Sequence, residues 1–409
     1  MKVFLCLSVF IVTILFSGNY NLPVAGVANS RSDSAKLPPV ETRKPNSDYK
    51  PAFVGQTRIN GIRTRTPYKV EKIAGKMGRP WAIVPLPDGR FLITEKSGFM
   101  QIYAADGKML RKITGFPKVD DGGQGGMLDA APDPAFEKNK IIYWSFSEGY
   151  DNGNLLAVAK GKLSADETTI QNPVVIFRAT PGLNSSLHFG SRILFDRSGN
   201  LFVSTGERSI LEGRRQAQSL NSHLGKIFRI NKEGKAAPGN PFLNNKNAMT
   251  EIYAYGIRNS QSLAIHPGTG ELWEAEFGPL GGDELNVIKA GKNYGWPTIT
   301  YGLEYSGQKV GDGIQRKDGM EQPVYYWDPV LSPSGMTFYA GNAIPEWKNN
   351  LFIGGLSGHL DRLVILNNKV TGEERLMEDK GERIRDVAYS NNILYVVTDS
   401  GNMYKISKK

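Results

Sequence analysis

The sequence predicts an all-β protein, a six-bladed β-propeller in which each blade has four strands. One pattern recurs six times in the body of the chain, and no body segment of twelve or more residues has a clean helical period. Gly (46) and Pro (23) are abundant among the 409 residues, as in turn-rich all-β proteins. Six copies in roughly 344 residues give a period of about 57, which favours four-stranded propeller blades over a pair of β-sandwiches.

In each copy, two short segments rich in β-branched and aromatic residues flank a turn such as Asp88-Gly89. The copies occupy residues 81–95, 127–145, 192–205, 262–276, 335–354 and 385–398. Because the last copy lies close to the C-terminus, we expect residues 67–73 to complete the sixth blade and close the ring. The loops at one mouth of the central channel should then carry the functional residues.

Residues 1–28 have the features of a signal peptide. The apolar stretch 3–16 is too short to span a bilayer comfortably, and the small residues at 26–28 fit a cleavage site. The alternative is an uncleaved N-terminal anchor. We expect a periplasmic or secreted protein with no stable membrane span after signal removal. The single cysteine, Cys6, would leave with the signal, so the mature chain would have no disulfide.

Residues 29–65 are predicted to be a flexible, basic linker rich in Pro and Ser. Of the formal net charge of +10, five charges belong to this stretch and one to Lys2, which leaves +4 for residues 66–409. A nucleic-acid-binding protein would instead concentrate basic residues on a folded face, so we expect no nucleic-acid partner. Residues 66–409 are predicted to form the propeller domain.

Three residues stand out by their side-chain chemistry. His188, in the segment LHFGSR, is the best candidate for a general base, since imidazole titrates near working pH. A structural histidine is the alternative. Arg383 and Arg385 would suit a ligand with several carboxylates, because guanidinium binds carboxylate in a bidentate manner. Surface ion pairs are the alternative for these two arginines.

Further polar groups lie in irregular segments between the predicted strands. Arg258, Asn259 and Gln261 form a cluster of fixed donors, and Gln124 lies in the glycine-rich loop DDGGQGG. The segment GGDE, residues 281–284, offers carboxylate and carbonyl oxygens, which are the ligands that Ca²⁺ prefers. Acidic glycine-rich turns of this kind are more often simply solvated.

Taken together, these segments resemble the glucose/sorbosone dehydrogenase family. The matching stretches include GQGGMLDAAPDPAF, HFGSRILFD, EIYAYGIRNSQSLAIHP, GGDELNVIKAGKNYGWP and RIRDV, in order from about residue 70 to the C-terminus. The soluble aldose sugar dehydrogenases of this family are six-bladed propellers that use pyrroloquinoline quinone (PQQ) and Ca²⁺. The resemblance therefore implies both cofactors, an aldose sugar as substrate and an external electron acceptor.

The resemblance also implies roles for residues on the substrate side. His188 corresponds to the catalytic base, which removes the anomeric hydroxyl proton while hydride passes to the quinone. Arg258 corresponds to an arginine at the quinone and substrate oxygens, where it would stabilise developing negative charge. Asn259 and Gln261 lie beside it, and Gln124 corresponds to an amide facing substrate and cofactor.

Metal and cofactor ligands follow from the same resemblance. The carbonyls of Gly278 and Pro279 correspond to ligands of the Ca²⁺ that is chelated by the quinone and acts as a Lewis acid. Glu284 and the carbonyl of Tyr294 correspond to a second, structural Ca²⁺ site. The resemblance assigns the cofactor carboxylates to the two C-terminal arginines, Arg383 and Arg385.

The sequence departs from the family pattern at several positions. Glucose-oxidising members have a lysine that grips the quinone where this chain has Ser357, and an aspartate before the catalytic histidine where it has Leu187. Phe277 replaces a polar residue and should make that wall of the site more apolar. These losses could weaken PQQ affinity or alter the choice of sugar.

The leading prediction is an exported PQQ-dependent aldose dehydrogenase that oxidises the C1 hydroxyl of a sugar to a lactone. One alternative is a propeller that binds carbohydrate or a protein partner without redox turnover, and another is a Ca²⁺-dependent lactonase. The sequence has no GxSxG segment and no HExxH pair, which disfavours a serine esterase and a zinc hydrolase. The sequence is compatible with a monomer or a homodimer.

Overall fold

A computed structural model describes Met1 and residues 37–409 of the chain. Apart from Met1, the predicted signal peptide lies outside the described residues. Residues 37–409 form six sheets, each with a core of four antiparallel strands. The first strand of each sheet contacts the first strands of the sheets on either side, and the sixth sheet contacts the first. This closed ring confirms the six-bladed β-propeller.

The strands follow the predicted repeats. The chain begins with β1 (Leu37–Pro39), β2 (Asn60–Gly61) and β3 (Tyr68–Ala74). Blades 1 to 3 contain β4 (Pro80–Pro85), β5 (Phe91–Glu95), β6 (Phe99–Tyr103), β7 (Met109–Ile113), β8 (Met127–Pro132), β9 (Ile141–Tyr150), β10 (Gly153–Leu163), β11 (Ile170–Arg178), β12 (Gly190–Phe195), β13 (Leu201–Thr205), β14 (Lys226–Ile230) and β15 (Ile252–Tyr255). Blades 4 to 6 contain β16 (Ser260–Ile265), β17 (Leu272–Glu276), β18 (Asp283–Ile288), β19 (Tyr325–Trp327), β20 (Pro333–Phe338), β21 (Leu351–Gly355), β22 (His359–Leu366), β23 (Lys369–Leu376), β24 (Ile384–Ser390), β25 (Ile393–Thr398) and β26 (Met403–Lys408).

Helices are short and lie in the connections. They comprise α1 (Phe136–Asn139), α2 (Leu211–Gln216) and two 3₁₀ turns, Pro345–Trp347 and Glu378–Lys380. None of the helices in the described part of the chain is long and apolar enough to cross a membrane.

Strand β3 closes the ring. It pairs antiparallel with β26, the last strand of the chain, and so becomes the outer strand of the sixth blade. This pairing confirms the closure predicted for residues 67–73. Because β3 and the C-terminal strand β26 share a sheet, the ring is held shut by a ladder of backbone hydrogen bonds.

Apolar clusters fill the space between neighbouring blades, and buried hydroxyls link the blades. Large side chains such as Trp144, Trp273 and Trp347 are fully buried. The hydroxyl of Ser145 on β9 donates to the carbonyl of Ser191 on β12 at 2.6 Å. The hydroxyls of Thr94, Ser204 and Ser334 make the same kind of bond to the next blade. These small polar residues satisfy backbone carbonyls that packing has removed from water.

A buried ion network crosses the central channel. The Arg192 guanidinium lies 3.2 Å from both Asp129 and Asp386 and donates to the carbonyl of Gln261 at 3.0 Å. Asp386 also accepts from the backbone N–H of Ile83. These residues belong to β8, β12, β16, β24 and β4, so the network joins five of the six blades.

Residues 37–65 differ from the flexible linker that the sequence predicted. This N-terminal strap lies on blades 4 and 5, where β2 pairs in parallel with the outer strand β23. Asp328 accepts the backbone N–H groups of Asn46 and Ser47, and Gln56 is fully buried. The strap is polar in composition, but carboxylates on the blades satisfy its backbone, so it packs without an apolar period.

Candidate functional site

The predicted site residues lie in the loops that lead into the innermost strands. Gln124 precedes β8, His188 precedes β12, Arg258 precedes β16 and Arg383 precedes β24. Since the innermost strands of a propeller surround its channel, these loops meet at one mouth of that channel. The structure therefore brings together residues that are far apart in sequence.

His188 is paired with a buried glutamate. Its Nδ1 lies 2.7 Å from Oε1 of Glu207, and both side chains are shielded from solvent. Burial, reinforced by the nearby Arg258 guanidinium, lowers the pKa of His188 to about 4, although Glu207 opposes this shift. The imidazole is therefore neutral at physiological pH. A proton on Nδ1 directed at Glu207 leaves Nε2 free to accept another proton.

Arg208 holds the loop that carries His188. Its guanidinium donates to the carbonyls of Leu187 and Asn154, each at 3.0 Å, and to the carbonyl of Ser185. Its backbone N–H also donates to the carbonyl of His188 at 3.3 Å. His188 has a left-handed backbone, with φ of 48°, which is costly for a residue other than glycine. These bonds maintain that conformation.

Gln124 and Asn259 also support this loop. The amide oxygen of Gln124 accepts the backbone N–H of His188 at 2.8 Å. The amide oxygen of Asn259 accepts the backbone N–H of Gly190 at 3.0 Å, while its buried Nδ2 has no partner within the described residues. Both side chains thus position the loop that carries His188 and still have amide donors for a ligand.

Arg258 lies close to the chain segment predicted to bind metal. Its guanidinium donates to the carbonyl of Gly278 at 2.7 Å and to the carbonyl of Phe277 at 3.1 Å. It lies over the ring of Trp296, at 5.1 Å from the centroid. The Gly278 carbonyl, predicted to be a Ca²⁺ ligand, accepts a hydrogen bond from this guanidinium. Pro279 follows in the same turn.

A cationic cavity lies at this mouth of the channel. It is lined by Trp81, Lys96, Gly123, Gln124, Gln261, Phe277, Leu356, Arg383 and Arg385. Arg385 donates to Gln261 at 3.2 Å, and both arginines donate to Asp399, at 2.9 Å from Arg383 and 2.7 Å from Arg385. Lys96 was not predicted from the sequence. Ser357 is exposed and lies next to the lining residue Leu356.

A second, smaller cavity adjoins the first at Phe277, which lines both. Its volume is about 10 Å³, close to that of one water molecule or ion. Glu276, Glu284 and Tyr294 line it, together with Gly278. The structure therefore brings together Glu284 and Tyr294, the two residues predicted for a structural Ca²⁺ site, and places Glu276 beside them.

Carboxyl groups crowd around this small cavity. Burial raises the pKa of Glu276 and Asp283 to about 7 and that of Glu274 and Glu284 well above the ordinary range. Repulsion from neighbouring carboxylates adds to the shift of the three glutamates. Glu274 Oε1 has no hydrogen-bond partner among the described residues. A bound cation would stabilise the ionised form of these buried carboxyl groups. No three His, Cys, Asp or Glu side chains within residues 37–409 form a metal cage by themselves, so a metal would also need backbone carbonyls.

Comparisons with known proteins agree with the resemblance seen in the sequence. The chain is 40% identical over 350 residues to aldose sugar dehydrogenase YliI of Escherichia coli, which covers 83% of this chain and 93% of that protein. Its structure is similar to the apo form of the soluble aldose sugar dehydrogenase from Escherichia coli, with a TM-score of 0.80, 38% identity and coverage of 84% and 100%.

A third similar protein has been solved with its cofactor bound. The PQQ-bound form of aldose sugar dehydrogenase from Streptomyces coelicolor matches with a TM-score of 0.69, 26% identity and coverage of 84% of this chain and 99% of that one. The family model described as Glucose / Sorbosone dehydrogenase matches residues 77–405, which include all the site residues described above. The chain belongs to the glucose/sorbosone dehydrogenase family of oxidoreductases, which includes the PQQ-dependent aldose sugar dehydrogenases.

Proposed function

We propose that this protein is a PQQ- and Ca²⁺-dependent dehydrogenase that oxidises the C1 hydroxyl of aldose sugars to lactones. The observation that carries the proposal is the neutral, glutamate-paired His188 beside a cationic cavity. A module that only binds carbohydrate has no need of such a base. The family relationship supports the same assignment.

The cavity fits a polyanionic cofactor. PQQ carries three carboxylates, and Lys96, Arg383 and Arg385 line the cavity, with Asp399 as the acidic partner of the two arginines. The local balance is two positive charges, which favours an anion. The unpartnered Nδ2 of Asn259 and Nε of Arg258 add buried donors. Gln124 and Gln261 would contact the cofactor or substrate.

The carboxyl cluster fits Ca²⁺. We propose that Glu284 and the Tyr294 carbonyl hold a structural Ca²⁺, with Glu276 as a neighbouring carboxylate. We propose that the carbonyls of Gly278 and Pro279 hold the second Ca²⁺, the one that the cofactor chelates. Oxygen ligands of this kind suit a hard divalent cation.

The residues of the chain then have distinct tasks. When bound, PQQ with its Ca²⁺ would supply the two-electron oxidant for the C1 hydroxyl, with an external acceptor as the final destination of the electrons. Nε2 of His188 accepts the proton of the C1 hydroxyl, and Glu207 stabilises the imidazolium that forms. Arg258 stabilises negative charge on the substrate oxygen. Phe277 gives one wall an apolar face.

Turnover measurements test this proposal. Purified protein is titrated with PQQ in the presence of Ca²⁺ and then assayed with a panel of aldoses and an artificial electron acceptor. We expect turnover that needs both cofactors, and a loss of about 10²- to 10⁴-fold in kcat for His188→Ala. His266→Ala is the matched control, because His266 lies in a surface hairpin. Absence of PQQ binding would favour the non-redox alternative.

We also propose that the protein is exported. The support is the signal-peptide pattern of residues 1–28. Recovery of the protein from the periplasm or medium, with Asn29 as its first residue, is the expected result. A membrane-bound chain with an intact N-terminus would support the uncleaved anchor instead.

A further inference from the structure

We propose that Lys96 is a PQQ-binding residue that supplies the cation missing at Ser357. This inference rests on the proposed function and adds a cofactor contact. Lys96 lies one residue after β5 in blade 1, and the turn that contains Ser357 follows β21 in blade 5, two blades away around the ring. Its side chain lines the cationic cavity together with Arg383 and Arg385.

The contacts of Lys96 leave it available to a ligand. Its Nζ donates to the carbonyl of Gly123 at 2.7 Å, and it forms no salt bridge within residues 37–409. Arg383 and Arg385 differ from Lys96 in this respect, because both form a salt bridge with Asp399. Lys96 is therefore the cavity cation whose charge is least neutralised by the protein itself.

The electrostatic surroundings support this role. Burial and the neighbouring cations lower the pKa of Lys96 to about 8. The charged groups that act on it are Arg79, Arg385, Asp121 and Asp399. Crowding of like charges without a ligand is unfavourable, and an anionic ligand would relieve it. An anion in the cavity would thus raise the pKa of Lys96 and be held by its charge.

Variants of Lys96 can separate its charge from its support of the Gly123 loop. Lys96→Gln keeps a donor for the Gly123 carbonyl but removes the charge, whereas Lys96→Arg keeps the charge. Lys118→Gln is the matched control, because Lys118 is exposed on the neighbouring loop and does not line this cavity. PQQ binding in the presence of Ca²⁺ is followed by quenching of tryptophan fluorescence, since Trp81 lines the cavity.

We expect Lys96→Gln to weaken PQQ binding by about 10- to 100-fold, as for loss of a charge-assisted hydrogen bond, and Lys96→Arg to stay within about threefold of the unsubstituted protein. Lys118→Gln should change the Kd by less than about twofold. Equal Kd values for Lys96→Gln and the unsubstituted protein would overturn the role, as would an arginine variant as weak as the glutamine variant.

A second measurement does not depend on how the neutral variant folds. PQQ affinity of the unsubstituted protein should fall as pH rises from 8 to 10, because Lys96 loses its charge, and this fall should be smaller in Lys96→Arg. Identical pH profiles would count against the role. Failure of the unsubstituted protein to bind PQQ at any pH would overturn the proposed function and this inference with it.

Discussion

The pairing of His188 with Glu207 determines how the base responds to pH and to substitution. The pKa of His188 is lowered to about 4, so the unprotonated base persists down to that pH and the acidic limb of kcat/KM should lie near 4. Removing the glutamate charge destabilises the imidazolium that forms during turnover. We therefore expect Glu207→Gln to lower kcat by about 100-fold while changing the Kd for PQQ by less than about twofold.

The matched control is Glu212→Gln, because Glu212 is exposed on α2 nearby. Steady-state kinetics from pH 4 to 8 measure both variants. A Glu207→Gln enzyme with unchanged kcat would show that Glu207 only fills space beside the imidazole.

Strand pairing explains why these two residues meet, and much of it could be predicted. The third sequence repeat predicted the β12–β13 hairpin, in which Gly190 pairs with Thr205. His188 and Glu207 each lie two residues beyond that pair, so the hairpin register brings them together. The repeat pattern contained this information, but the register had to be known to one residue before Glu207 could be identified.

Hairpin register also explains a contact in blade 6, but it does not explain the position of the strap. Ile384 pairs with Thr398, so Arg383 and Asp399 meet just beyond the pair. The position of residues 37–65 could not be predicted in this way. The partners of this strap are carboxylates from blades 4 and 5, more than two hundred residues away in the sequence. No local periodicity in the sequence indicates such contacts.

At the scale of the element, the attachment of the strap to the propeller should depend on Glu41. Hydrogen bonds from Arg43 and Arg375 lower the pKa of Glu41 to about 2, although burial opposes this shift. Because this pKa is lowered, the stabilisation that ionised Glu41 gives the folded protein is complete above about pH 4.5 and is lost as pH falls towards 2. We expect Glu41→Gln to speed hydrogen exchange of residues 37–65 by about 10- to 100-fold at pH 7. Glu71→Gln, at an exposed ion pair, should leave exchange unchanged.

At the scale of the whole molecule, the ion network across the channel should hold the ring together. Arg192 is buried between Asp129 and Asp386, and burial raises the pKa of Asp129 to about 6 even beside the guanidinium. Replacing Arg192 with Met leaves two buried carboxyl groups that face each other without a cation. The cost of breaking such a buried network is about 3–5 kcal/mol.

This cost should depend on pH in a defined direction. Without Arg192, the pKa of both carboxyl groups rises further, so they are protonated in the folded protein at pH 5. Because the same groups ionise with a pKa near 4 in the unfolded chain, keeping them neutral or burying their charge costs more free energy at pH 8 than at pH 5. We expect Arg192→Met to lower the free energy of unfolding by about 3–5 kcal/mol at pH 8 and by less at pH 5, as measured by urea denaturation. Arg178→Met removes only an exposed pair and should cost at most about 1 kcal/mol at either pH. An equal loss at both pH values would mean that Arg192 stabilises the ring through packing against Trp81 and its bond to Gln261 rather than through its charge.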